Sequence, residues 1–366
     1  MSDDDRAGRL MHGRPGLERG DPVALPLTMA SMFHLPGDPA GAPGYGRVDN
    51  PVWEEVERQL SILEGAPALL FPSGMGAISA ALMAGLKAGD RVLLPSDGYY
   101  TTRLLADRVL ARFGVAAAYR PTARYGEGGF DGFAAVFVET PSNPGLDLCD
   151  LAAICAAVRA AGGVTLVDNT TMTPFGQRPL ELGADVVVAS DTKAPSGQSD
   201  VILGHLATRD AALFEAAKDW RKLSGAIPGP FEAWQLNRSL PTLEMRFARM
   251  CDSAEALAPR LAAHPAVRAL RYPGLPDDPG HALARSQMAR FGFLIGLTLK
   301  DRDTAERFIE AAGLTPATSF GGVHSSAECR ARWGDDVPGG FVRLSVGCEP
   351  VADLSARIVA ALDEIA

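Results

Sequence analysis

The sequence predicts an α/β fold: a large, mostly parallel sheet between helices, followed by a smaller α+β unit. Three observations carry this reading. Short apolar runs recur at residues 91–94, 134–138, 164–167 and 185–189, each followed by turn residues or a helix. Runs this short and this apolar read as strands covered on both faces. An alanine-rich stretch of helical character at 151–161 separates the second from the third, as a crossover between parallel strands requires. Beyond about residue 241 the pattern changes to one long helix and isolated strands.

The elements follow in order. Residues 1–45 are rich in Gly, Pro, Asp and Arg with no sustained period, which predicts an arm with little structure of its own. Residues 54–64 read as a helix with Val56, Leu60 and Leu63 on one face. A short strand at 68–71 leads through Pro72-Ser73-Gly74 into a helix over 75–86 rich in Ala, Met and Leu. The four apolar runs come next. A further strand at 201–207 is expected to pair antiparallel at one side of the sheet. A long helix over 243–261 opens the second part. Pro273-Gly274 and Pro279-Gly280 punctuate it, and a strand at 291–299, a helix at 305–312, a strand at 341–346 and a helix at 354–365 complete it. The expected organisation is thus an arm (1–45), a large domain (46–240) and a C-terminal α+β domain (241–366). No internal repeat or low-complexity tract is evident.

Composition narrows the function. Of 366 residues, 47% are hydrophobic and 22% charged, which excludes a largely disordered or collagen-like chain. Lys plus Arg is 35 against 44 for Asp plus Glu, a net charge of −9. There is no overall pull toward nucleic acid or an anionic membrane. The N-terminus lacks a basic-then-apolar leader, and no apolar run of about 18 residues exists, so a cytoplasmic protein is expected. The five cysteines, Cys149, Cys155, Cys251, Cys329 and Cys348, form no C-x-x-C pair or compact ligand set, so free thiols and no metal are expected.

Lys193 is the most informative residue. It follows the most apolar run, in Ser190-Asp191-Thr192-Lys193. Burial there would depress the amine pKa and make it nucleophilic; alone, it could equally be a surface lysine. Asp168 ends another apolar run, where open α/β sheets bind ligands, and could hold a proton on a ring nitrogen or simply cap a turn. Ser190 and Thr192, alternating in an extended segment, would point the same way and suit a phosphate. Ser73-Gly74-Met75 opens a helix whose free N–H groups favour an anion, although alone it reads as a plain cap. Tyr99 is placed to stack on a ring. Together these residues describe the protein side of pyridoxal 5′-phosphate chemistry.

The ordered motifs go further. They are Tyr45-Gly46-Arg47 with Asn50-Pro51, Phe71-Pro72-Ser73-Gly74-Met75, Glu139-Thr140-Pro141-Ser142-Asn143-Pro144, Val167-Asp168-Asn169-Thr170, Gly183-Ala184-Asp185, Ser190-Asp191-Thr192-Lys193, Gly197 with Ser199-Asp200, Tyr272-Pro273-Gly274-Leu275, and Arg343-Leu344-Ser345-Val346-Gly347. With these the chain resembles the Cys/Met-metabolism family of fold-type I pyridoxal-phosphate enzymes, the cystathionine γ-synthase, γ-lyase and β-lyase group, from Pro26 to the C-terminus.

The resemblance implies a seven-stranded sheet and a homotetramer, a dimer of dimers with shared active sites. It implies that Lys193 bonds the cofactor and shuttles protons, and that Asp168 holds the ring N–H. Gly74, Met75, Ser190 and Thr192 would bind the phosphate. Tyr45 and Arg47 would reach the phosphate of the neighbouring subunit. Tyr99 would stack on the ring and move protons, and Asn143 would contact the cofactor or the substrate. Arg343, supported by Ser325, would clamp the substrate carboxylate. The implied activity is carbon–sulfur lysis of a sulfur amino acid, foremost γ-elimination of cystathionine. The alternatives on the same scaffold are β-elimination, methionine γ-elimination and replacement on acylated homoserine. The chain departs from the family at Ala194, where Tyr is usual, at Gln198 in place of His, at Tyr100-Thr101 after the stacking tyrosine, and at His324, which stands before Ser325 and would face the distal part of the substrate.

Overall fold

A computed structural model describes residues 2–12, 14–38 and 40–366. Its large sheet has seven strands in the order β1-β7-β6-β5-β4-β2-β3. These are β1 (Ala68–Phe71), β2 (Arg91–Pro95), β3 (Ala116–Arg120), β4 (Ala135–Glu139), β5 (Val164–Asp168), β6 (Val186–Ala189) and β7 (Gly204–Thr208). Only β7 runs against its neighbours. It lies between β1 and β6, one place in from the edge, and begins at Gly204. The expected strand at 201–207 is therefore antiparallel as predicted but later in its start and interior. Strand β3 has no counterpart in the sequence reading, because Ala-Ala-Ala-Tyr-Arg carries no strand-like alternation.

Helices cover both faces. In α2 (Pro51–Glu64), Asn50 caps the N-terminus by accepting the Val52 N–H (2.9 Å), Pro51 sets the first turn, and Gly65 in the left-handed region ends it. Its buried stripe includes Val52, Trp53, Val56, Leu60 and Leu63. In α3 (Gly74–Gly85), Ser73 Oγ accepts the Gly76 N–H (3.0 Å). The surrounding helices are α4 (Tyr100–Arg108), α5 (Leu151–Ala160), α6 (Thr173–Gly176), α7 (Ala211–Ser224) and α8 (Pro230–Ser239).

The N-terminal arm holds more structure than its composition suggested. Helix α1 (Asp3–Met11) starts at Ser2, whose hydroxyl accepts the Asp5 N–H, and Asp3, Asp4 and Asp5 sit at the positive end of its dipole. Leu10 is buried in the core, and Arg6 pairs with Glu181 at 2.5 Å. Tertiary packing rather than period fixes this helix, which corrects the expectation of an arm with little structure of its own over residues 3–11; the other described residues up to 45 form no helix or strand beyond an isolated bridge between Met32 and Tyr45. Met1, Gly13 and Pro39 of that arm lie outside the described residues.

Helix α9 (Leu243–Ala262) leads to the second sheet, ordered β10-β11-β12-β9-β8. Its strands are β8 (Ala269–Arg271), β9 (Leu294–Thr298), β10 (Thr315–Pro316), β11 (Ser326–Cys329) and β12 (Phe341–Ser345), with α10 (His281–Gln287), α11 (Arg302–Ala311) and α12 (Val351–Ile365) around them. Leu257, Ile295, Phe308, Leu344 and Ile358 belong to one buried cluster, so α9, α11 and α12 share a core with this sheet. No helix among the described residues is long and apolar enough to cross a membrane.

Candidate active site

The parallel strands bring their carboxyl ends to one edge of the large sheet, and a cavity of about 430 Å³ lies there. Strand β1 delivers Ser73, Gly74 and Met75; β6 delivers Ser190, Thr192 and Lys193; β5 delivers Asp168 and Thr170. Strand β4 delivers Glu139 and Asn143, and β2 delivers Tyr99 and Tyr100. The second sheet closes the cavity with Thr318, Ser319, Phe320, Arg330, Trp333 and Arg343.

Asp168 lies opposite Glu139 in the β4–β5 ladder. Its Oδ1 accepts from the Thr170 N–H (3.0 Å) and hydroxyl (2.5 Å), while Oδ2 has no hydrogen-bond donor among the described residues. Burial raises the Asp168 pKa, and the Thr170 bonds and Lys193 oppose the rise. Glu139 is pushed well above the usual carboxylate range by burial and then by Asp168, and the Tyr99 N–H (2.7 Å) is the main force against the rise. Lys193 donates from Nζ to Ser319 Oγ at 2.8 Å. Burial, and then repulsion from Arg343, lower its pKa to about 8.

The lysine sits in a turn, with its N–H bonded to the Ser190 carbonyl at 3.2 Å. The segment is therefore not extended, as the hydroxyl alternation had suggested; the turn, not a strand pleat, brings Ser190 and Thr192 to the same cavity. The Thr192 hydroxyl donates to the Leu203 carbonyl and accepts the Leu203 N–H, both at 3.1 Å. Gly74 must be glycine: a Cβ there would lie 2.8 Å from Ser190 Cβ. Gly321 (φ +81°) packs against the peptide after Lys193, where a Cβ would stand 2.6 Å from the Ala194 nitrogen.

Arg343 is 3% exposed. It donates to Asn143 Oδ1 (2.5 Å), the Thr318 carbonyl (2.9 Å) and Glu328 Oε2 (3.0 Å). Burial, then Arg330, lower its pKa to about 10. Glu328 lies opposite it across the β11–β12 ladder and also receives Arg330, Arg332 and Trp333 Nε1.

The structure thus brings together Lys193, Asp168, Gly74, Met75, Ser190, Thr192, Tyr99, Asn143 and Arg343. It leaves four expected residues off the cavity wall. Tyr45 is 48% exposed, and Arg47 bonds the Lys222 carbonyl at 3.0 Å. His324 is half-buried beside Gly322. The Ser325 hydroxyl donates to Glu349 (2.8 Å) and accepts the Gly347 N–H (2.9 Å). Of the departures, Ala194 is buried and Gln198 exposed, and Arg246 takes the carbonyls of Ala194 (2.6 Å) and Pro195 (2.9 Å). Sequence reasoning assigned nothing to Ser319, Phe320, Glu328, Arg330 or Trp333. Glu139 was visible within a motif but had no role.

The cavity fits pyridoxal 5′-phosphate on its own geometry. A nearly buried carboxylate oxygen without a donor suits a ring N–H. Helix α3 begins at the wall with a glycine that a Cβ would block, beside the Ser190 hydroxyl, which suits a phosphate. A lysine with a lowered pKa completes the set.

Comparison with known proteins agrees. The family model for Cys/Met metabolism PLP-dependent enzymes matches residues 18–363. The chain is 48% identical over 360 residues (96% of this chain, 92% of the other) to a Streptomyces coelicolor protein named "Putative cystathionine gamma-lyase". It is 38% identical over 366 residues (93% and 92%) to the cystathionine gamma-synthase of Mycobacterium tuberculosis. It superimposes on the crystal structure of apo CalE6, a methionine gamma lyase from Micromonospora echinospora, with a TM-score of 0.91 and 36% identity over 99% of each chain.

Proposed function

For a chain that belongs to the Cys/Met metabolism PLP-dependent enzyme family, we propose the activity of a cystathionine γ-lyase, converting L-cystathionine and water to L-cysteine, 2-oxobutanoate and ammonia. The membership itself makes the chain a pyridoxal-phosphate enzyme of trans-sulfuration chemistry. The choice of γ-elimination is carried by the 48% identity to the Streptomyces protein along nearly the full length of both chains. A second reading, γ-replacement on an acylated homoserine, is favoured by the 38% identity to the mycobacterial synthase.

When bound, pyridoxal phosphate supplies an aldehyde carbon that bonds an amine and a protonated ring that draws electrons from the substrate α-carbon. The chain's residues do the rest. Asp168 Oδ2 would accept the ring N–H. The Gly74 and Met75 N–H groups and the Ser190 hydroxyl would hold the phosphate, and the Thr192 hydroxyl would join them by giving up its bond to the Leu203 carbonyl. Tyr99 would flank the ring, and Asn143 would contact the cofactor or the substrate. Arg343 binds the α-carboxylate, exchanging Asn143 and Glu328 for a bidentate anion. At pH 7 about a tenth of an amine with a pKa near 8 is uncharged, far more than of an ordinary lysine. Lys193 Nζ can therefore attack a carbonyl carbon and take the α-proton. Tyr99 donates a proton to the departing sulfur. His324 and Ser325 act on substrate choice through the 321–325 loop they brace, and Tyr45 with Arg47 reaches the phosphate site of a neighbouring copy in a homotetramer.

The test is cofactor-loaded protein given L-cystathionine, with products separated by mass. Cysteine with 2-oxobutanoate supports the proposal. Homocysteine with pyruvate refutes it in favour of β-elimination. Cystathionine formed from cysteine and an acylated homoserine, without its breakdown, establishes the second reading. Lys193→Ala is expected to abolish both turnover and the borohydride-fixed attachment of cofactor to the chain.

A further inference from the structure

The turn that carries Ser190, Thr192 and Lys193 to the cavity directs its remaining side chain, Asp191, elsewhere. Asp191 Oδ1 lies 2.8 Å from His205 Nδ1, and Glu64 Oε1 lies 3.0 Å from His205 Nε2. The three side chains are 0%, 1% and 2% exposed for Asp191, His205 and Glu64. Glu64 closes α2, and His205 stands in β7 opposite Ala189, the last residue of β6. One imidazole therefore fastens a helix, a strand and the lysine turn together.

The contacts favour a charged ring. An ionised carboxylate only accepts, so a ring nitrogen facing one must donate. Each nitrogen of His205 faces a carboxyl group, and an imidazole that donates to two carboxylates is a cation. Burial draws its pKa down, but Asp191 and Glu64 overcome this and lift it to about 10. No group of three such residues among those described could hold a metal ion, so the trio is not a metal site. Buried charges held together often stabilise a fold no more than apolar side chains of the same volume would. Asp191 Oδ2 is moreover buried without a hydrogen bond. An arrangement this costly points to a use beyond fastening.

Asp168 lies opposite Val188 and His205 opposite Ala189, so the two side chains stand on opposite faces of the sheet, one residue step apart along β6. The His205 charge is among those that favour the ionised form of Asp168 against its burial. We propose that His205 is a positioning residue of the cofactor site: gripped by Glu64 and Asp191, it holds the 190–193 turn, and from the other face of the sheet its charge adds to those that keep Asp168 an acceptor for the cofactor's ring N–H. The proposal rests on the reading of Asp168 given above.

The test is the affinity of the protein for pyridoxal phosphate, measured by equilibrium dialysis with thermal midpoints alongside, for wild type, His205→Gln, Glu64→Gln and Asp168→Asn. His205→Gln removes the cation and loosens the turn, and is expected to weaken cofactor binding about tenfold, on the order of one lost charge-assisted hydrogen bond. Glu64→Gln leaves the imidazolium on Asp191 and should weaken binding less than about threefold, although both variants melt lower. Wild-type affinity in His205→Gln, with only a lower midpoint, would overturn the proposal. Equal weakening in His205→Gln and Glu64→Gln would overturn the electrostatic role. Should His205→Gln not fold, Asp191→Asn carries the test: it loosens the turn, and unchanged cofactor affinity in it refutes the proposal. Asp168→Asn separates the two layers of argument. If it binds cofactor as wild type does, the reading of Asp168 falls and the proposal with it. If it weakens binding while His205→Gln does not, only the proposal falls.

Discussion

Replacing His205 by Gln should change how stability depends on pH, not only its level. The His205 pKa is lifted from 6.5 to about 10. A group raised on folding contributes its full stabilisation below its unfolded pKa and loses it as pH climbs to the folded one. The window is therefore pH 6.5 to 10, and each pH unit within it is worth about 1.4 kcal/mol, on the order of 5 kcal/mol in all. At roughly 2.1 cal/mol/K of unfolding entropy per residue, 366 residues give about 0.8 kcal/mol/K. One pH unit is then about 2 °C in midpoint.

Lys193 runs the other way in cofactor-free protein. Its pKa is lowered from 10.5 to about 8, so the folded state sheds its proton first and stability rises between those values. In wild type the two slopes nearly cancel between pH 8 and 10. In His205→Gln the lysine slope stands exposed. The assay is the thermal midpoint of both apoproteins at about pH 6.5, 7.5, 8.5 and 9.5, read as the difference. The wild-type advantage should shrink by about 2 °C per pH unit. Buried thiols such as Cys149, raised to about 12 by burial, are common to both proteins and drop out. A constant difference across the series would mean that His205 holds no proton of its own in the folded state, and the charge argument would fail.

Three further outcomes test the site. Gly74→Ala sets a Cβ 2.8 Å from Ser190 Cβ; overpacking of about 1–3 kcal/mol at the start of α3 should weaken cofactor binding tenfold to a hundredfold, with the far-UV spectrum unchanged. Arg343→Met leaves a buried anion unmatched and should raise KM for the amino acid about a hundredfold in steady-state assays, while Arg343→Lys, a point charge without the fork, recovers only part of it. Glu139→Gln, the same shape as a protonated carboxyl, should hold cofactor within about twofold of wild type by dialysis, where Asp168→Asn does not.

Much of this site was legible because its residues stand at strand ends. Asp168 and Lys193 each follow an apolar run, and Gly74 follows another, so one-dimensional order places them on one sheet edge. What could not be read depends on long-range register. Glu328 meets Arg343 only because β11 and β12 pair in one alignment across 15 residues of separation. Ser-Ala-Glu-Cys alternates, with Ala327 and Cys329 in the core, but four residues without a β-branched or aromatic side chain are too few to announce a strand. Helix α1 was hidden for the same kind of reason: an acidic triplet reads as solvated chain until Leu10 and Arg6 find a core to enter. His205 reads as an ordinary strand residue, since its partners come from α2 and from a turn 14 positions earlier.

The two carboxylates at the centre of the sheet show how such unread contacts divide the chemistry. Glu139 and Asp168 are buried side by side, so they titrate as a pair and one proton has to be placed. Two donors from Thr170 and the charges of Lys193 and His205 act on Asp168. Against burial and the Asp168 charge, Glu139 has the Tyr99 N–H and a weaker pull from Arg103. The proton therefore belongs to Glu139 and the charge to Asp168. A neutral Glu139 keeps the amide of Tyr99 in place, and an ionised Asp168 with a free oxygen faces the cavity. Two acids of similar intrinsic strength are thus set to different tasks by their neighbours alone.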